Sequence, residues 1–212
     1  MRTLALLFGT TAVAALAGCA SSNLAYTRPI ARHTDTTKTI AKSRDAVWAS
    51  AVPSLGKDFF VINNLDKASG LINVSYSGDP HDYVDCGHIN AYFQNATGRH
   101  DYSFDGSAKE AVYTLYKYPV LVNFRRQMNL DGRINIIFET ISANETRVTV
   151  NARYVMQRQL TARASNGRGD SNTSSIAFSS GGTATFPEMN TADGTECVPT
   201  GKLERDILSL IQ

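Results

Sequence analysis

The chain has 212 residues, 42% of them hydrophobic and 19% charged, with a formal net charge of +2. That is too apolar for a disordered segment and long enough for one domain, with or without tails. The balanced charge excludes the basic field of nucleic-acid binders, and three cysteines are too few for a disulfide-scaffold mini-protein.

Arg2 is the only charge before Arg28. The apolar run from Leu4 to Leu16 is shorter than the about 20 residues that a spanning helix needs. A charged start, a short apolar stretch and then small residues predict a secretory signal peptide over residues 1–18. The stretch ends Leu16-Ala17-Gly18-Cys19, which resembles the bacterial lipobox. That resemblance implies cleavage before Cys19, diacylglycerol on its sulfur and acylation of the new amine. One acyl chain, at about 0.8 kcal/mol per buried CH₂, holds marginally, whereas two or three hold almost permanently. Ala20 and Ser21, not Asp, follow the cysteine. By analogy with enteric lipoproteins this favours the outer membrane, facing the periplasm. Residues 19–35 are polar and aperiodic, and are expected to be a lipidated flexible tether. Residues 36–212 are then a single domain.

Thr36 to Ile40 is short and β-prone, and Ser43 is placed to cap a helix that continues to Gly56. Val47, Ala51 and Leu55 repeat every four residues, a narrow apolar stripe, with Trp48 at its edge and Pro53 able to kink it. Two β-rich runs, 59–65 and 70–76, flank the turn residues Asp66-Lys67-Ala68-Ser69-Gly70. The stretch from Asp45-Ala46-Val47-Trp48 through Phe60-Val61-Ile62 to Asp66-Lys67-Ala68-Ser69-Gly70-Leu71-Ile72 resembles the domain of the outer-membrane lipoprotein C of the β-barrel assembly machinery. The resemblance covers about 40 of the 212 residues. It implies a helix-grip-like fold in a lipoprotein context.

Asp79, His81, Asp82, Asp85, Cys86 and His88 then crowd into ten residues. They could form a metal site or a thiol–imidazole pair, but acids beside Gly and Pro are also ordinary loop chemistry. With Cys19 lipidated, Cys86 and Cys197 are an even pair in an oxidising compartment and read as a disulfide. They lie 197 − 86 = 111 residues apart, and closing such a loop is worth about 4–5 kcal/mol in the chain-entropy model. The expectation is a disulfide and no metal or other cofactor.

Residues 89–109 read as a long loop or short strands. Strands follow at 110–116, 121–128, 134–139 and 148–157, with turns at 129–132 and 142–145. The last three form a β-meander with one buried and one wet face. Residues 164–175 read as a mobile loop, and the Arg168-Gly169-Asp170 triplet in it has no adhesion partner in a periplasm. A hairpin around Gly181-Gly182 and a C-terminal helix presenting Leu203, Ile207, Leu210 and Ile211 complete the chain. The expected class is α+β, an antiparallel sheet with one helix from each end of the domain packed on it.

No Walker A, G-x-S-x-G, H-E-x-x-H or C-x-x-C motif occurs. The expectation is a non-catalytic lipoprotein, anchored to the membrane by lipid, that binds or scaffolds an envelope protein. One alternative is an envelope hydrolase or thiol enzyme using residues 79–88. Another is binding of a small apolar ligand between helix and sheet, lined by Trp48, Phe59, Phe60, Tyr76 and Tyr154.

Overall fold

A computed structural model describes residues 20–58, 60–187 and 194–212. The expected signal peptide, Cys19 and Phe59 lie outside them. The first half contains β1 (Ser21–Thr27), β2 (Thr37–Ile40), α1 (Arg44–Lys57), β3 (Val61–Asp66), β4 (Leu71–Gly78), β5 (Val84–Asp85), β6 (His88–Asn95) and β7 (Gly98–Asp105). Then come β8 (Glu110–Lys117), β9 (Val120–Ser142), β10 (Glu145–Ala164), β11 (Gly169–Ser179), β12 (Ala184–Thr185), β13 (Glu196–Pro199) and α2 (Lys202–Leu210).

The α+β, helix-grip-like expectation is overturned, because the molecule is predominantly β, built from several antiparallel sheets with two short helices. The physical cause is the β9–β10 hairpin, whose strands of 23 and 20 residues far exceed the usual five or six. Each is long enough to serve two separate layers of structure.

The expected meander is a single strand along its first two segments, because Asn129-Leu130-Asp131-Gly132 continues β9 and does not turn. Gly132 is paired on both sides, with Tyr154 of β10 and Tyr76 of β4. A Cβ there would lie 3.6 Å from Leu203, ordinary van der Waals contact, so α2 packs directly over this position.

Along β9, Phe124, Met128, Leu130, Ile134, Ile136 and Phe138 point inward, and on β10 Val148, Val150, Ala152, Tyr154, Met156 and Leu160 do the same. β4 and β3 extend the sheet beside Leu130–Ile137, while β8 pairs with Val120–Gln127. On the other edge, β10 pairs with β2 near its start and with β11 from Arg153 onward. Under the β4 half lies the larger core, covered by α1 through Val47, Ala51 and Leu55, and by α2 through Leu203, Ile207 and Ile211. Trp48 meets Phe138 edge-on at 5.3 Å. Burying each Val or Leu is worth about 1.5–3 kcal/mol. The smaller core lies between the β1-β6-β7 sheet and the β8 half, around Ala91, Tyr113, Leu115, Phe124 and Leu160.

Three further expectations are corrected, for residues 21–27, 164–175 and the stretch around 181–182. Residues 21–27 are not tether but β1, paired along its whole length with β6, because Leu24 packs on the smaller core. Of the two readings of residues 89–109, short strands hold, since His88–Asp105 is the β6–β7 hairpin, turned at Asn95, whose Oδ1 accepts from the Thr97 amide. In the expected mobile loop only the turn at 165–168 is irregular. From Gly169 on, the chain is β11, whose polar side chains suit an edge strand in water. The expected hairpin around Gly181-Gly182 does not close on itself, since β11 pairs with β10 and β12 with β13.

Candidate functional site

The 79–88 cluster is mostly loop architecture. Asp79 Oδ1 accepts from the His81 amide at 3.0 Å, and Asp85 Oδ1 accepts from the Gly87 amide at 2.7 Å. The Asp82 carbonyl accepts from Thr200 Oγ1 at 2.8 Å, which ties this loop to the start of α2. Cys86 is joined to Cys197, and both are fully buried. The thiol-enzyme alternative therefore loses its nucleophile. Among the described residues, no group of three His, Cys, Asp or Glu side chains is placed to hold a metal.

His88 leaves the loop and enters β6, where it stands opposite Asp105 of β7, while Asn90 stands opposite Ser103. The period of two puts all four on the outward face of the β6–β7 ribbon. His88 Nδ1 is 2.9 Å from Asp105 Oδ1, and Nε2 is 2.8 Å from Ser103 Oγ. Ser103 Oγ also lies 2.9 Å from Asn90 Oδ1. His81 Nδ1 is 3.9 Å from the other Asp105 oxygen. A serine, an imidazole and a carboxylate thus stand in the order of a nucleophile, a base and an orienting group. The hydroxyl has one proton, however, and Asn90 competes with His88 for it. The His88 and Asp105 side chains are 42% and 52% exposed, so water reaches the whole array. A dry, preorganised site would not allow that. Sequence reasoning missed Ser103 and Asp105 because the pairing is set by strand register, which no local motif records.

Beside Asp105 opens a cleft of about 350 Å³. His81, Asp82 and Asp85 line it together with Arg32, Lys202 and Arg205, and so does Ile30, which is 78% exposed. Asp206 accepts a hydrogen bond from Lys202 Nζ at 2.6 Å and holds the ammonium above its ordinary range, so it stays charged.

Of the described rings expected to line an apolar cavity, three are core. Trp48, Phe60 and Tyr154 are at most 9% exposed, and Tyr154 stacks on Phe178 at 5.2 Å. Tyr76 is partly buried, edge-on to Tyr83 at 5.1 Å. The buried charges were also missed. Arg126 and Arg158 carry the inward parity of β9 and β10, and parity was the signal that could have found them. Arg126 donates to the Gly106 carbonyl and to Thr195 Oγ1. Arg158 donates to the Pro187 carbonyl at 2.9 Å and lies 4.8 Å over Phe186. Glu204 of α2 is buried and accepts from Tyr154 Oη and from Ser180 Oγ.

No family model, curated protein or solved structure matches the chain. Among the described residues, no helix is long and apolar enough to cross a membrane.

Proposed function

We propose that the protein is a lipid-anchored, non-catalytic lipoprotein of the bacterial envelope, held at the outer membrane through Cys19, that presents its β-rich body to an envelope protein. The cleft beside α2 carries this reading. An exposed isoleucine next to both signs of charge is the chemistry of a polar protein interface with an apolar anchor. The resemblance around α1 and β4 supports the envelope context. A photoreactive residue placed at Ile30 in intact cells should give one dominant adduct, and Arg205→Glu should weaken it severalfold. Absence of any discrete adduct would sink the reading. Adducts with barrel-assembly components would add weight to the resemblance.

One observation favours a second reading, an ester or amide hydrolase, namely the Ser103–His88–Asp105 array. In that reading Ser103 attacks, His88 takes its proton and Asp105 holds the ring. A fluorophosphonate probe decides between the two. Labelling that disappears in Ser103→Ala establishes the hydrolase, and an unlabelled folded protein leaves the binding role.

A further inference from the structure

The turns nearest the start of β1 all lie at one end of the molecule. Ser21 pairs with Gln94, one residue before the β6–β7 turn at Asn95–Gly98. Ser22 Oγ donates to the Tyr116 carbonyl at 2.9 Å, which brings the β8–β9 turn alongside. Lys117 pairs with Val120 across that turn. The Ser165 amide donates to the Leu121 carbonyl at 2.8 Å, which adds the β10–β11 turn. The other end of the long hairpin, at Ser142–Glu145, lies some twenty residues away along both strands.

A single residue, Ala20, separates Cys19 from β1. At no more than about 3.6 Å per residue, chains carried by Cys19 leave the protein within about 7 Å of Ser21. With β1 fixed in a sheet, no slack remains for the body to stand away from the lipid. This end also has the chemistry of the interface. Tyr118 is the most exposed of the large hydrophobic residues described, at 88%, and Tyr116 meets it edge-on. Lys117, Arg163 and Arg168 are exposed around it. Asp170 opposes them, while Arg99 and Asp101 neutralise each other. Tyrosine settles at the headgroup level, and basic residues are drawn to anionic headgroups. The far tip carries Ile141, 43% exposed, and Glu139 and Glu145, with Arg147 opposite Glu139.

We propose that this end is a membrane-docking face, with Tyr118 seated among the headgroups and Lys117, Arg163 and Arg168 against anionic lipid. The β9–β10 hairpin then projects away from the bilayer. The proposal rests on lipidation at Cys19, and its test separates the two. The mature lipidated protein is reconstituted in phosphatidylethanolamine–phosphatidylglycerol vesicles brominated near the headgroup end of the acyl chains. Tyr118→Trp and Asn144→Trp are compared with the parent, whose Trp48 is 9% exposed. The fluorescence added at position 118 should be quenched at least twofold, and that at 144 left unchanged. Protein that floats with the vesicles but shows equal quenching at both positions overturns the docking face and leaves the anchor standing. Protein that does not float overturns both.

Discussion

The buried carboxylate of Glu204 illustrates how single residues decide stability here. The Tyr154 hydroxyl lies 2.9 and 2.8 Å from its two oxygens and shares its one proton between them, and Ser180 Oγ donates to Oε1 at 2.7 Å. A buried carboxylate without donors would cost several kcal/mol, so α2 can sit on β10 only with these partners. Tyr154→Phe keeps the ring on Phe178 but removes the donor. The expected loss is about 1.5–3 kcal/mol in denaturant unfolding, the worth of a bond to a charged group. Burial, and then the neighbouring Glu204 carboxylate, hold the Tyr154 phenol far above its ordinary range. The unfolded phenol ionises near pH 10, while the folded one stays protonated. The stabilisation is therefore complete below pH 10 and is lost as pH rises further. Stability should fall more shallowly above pH 10 in Tyr154→Phe than in the parent, and equal slopes would refute the assignment.

At the scale of elements, the outcome turns on pairing at long range. The apolar stripe of α1, the α2 face and the alternation of β9 and β10 were legible, because period and parity are properties of neighbouring residues. The Cys86–Cys197 bond was legible once Cys19 was set aside as the expected lipidation site, which leaves an even pair. The β-dominated class was not, since Asp131-Gly132 carries the local chemistry of a turn and only strands on both sides hold it extended. Nor was β1, whose Leu24 reads as an isolated apolar residue until β6 lies beside it. Likewise His88, Ser103 and Asp105 meet only through the β6–β7 register. Where β1 leaves the sheet, Gly87 has φ +74° and a Cβ there would come within 2.2 Å of the Thr27 carbonyl. Gly87→Ala should cost at least about 1–2 kcal/mol from the left-handed backbone alone, read as a lower Tm. It should also raise hydrogen exchange in β1 and β6 before it does so in β9. Unchanged exchange in β1 would show that β1 is not held at this point.

For the whole molecule, the question is how two cores on one hairpin remain a unit. Arg126 and Arg158 lie on the inward face between Phe124 and Leu160 of the smaller core and Met128 and Met156 of the larger. The apolar layers are thus separated by a buried polar one whose bonds reach Gly106, Thr195 and Pro187. The disulfide strengthens the same seam, since Cys86 precedes β6 of the smaller layer and Cys197 belongs to β13, which leads into α2 of the larger. Closing a 111-residue loop is worth about 4–5 kcal/mol in the entropy model. Replacing both cysteines by serine adds two buried hydroxyls in place of the bond. The Tm should then fall by about 10–15 °C, at about 2–4 °C per kcal/mol for a chain of this size. Which region loosens first tests the architecture. α2 is held by Leu203, Ile207 and Ile211 on one side and by the Glu204 bonds on the other, so it should stay protected in hydrogen exchange. β5 and β13 pair through only two residue pairs, Val198 with Asp85 and Pro199 with Val84, and should exchange first. If α2 opened together with β13, the disulfide, and not the apolar face, would be what keeps that helix on the sheet.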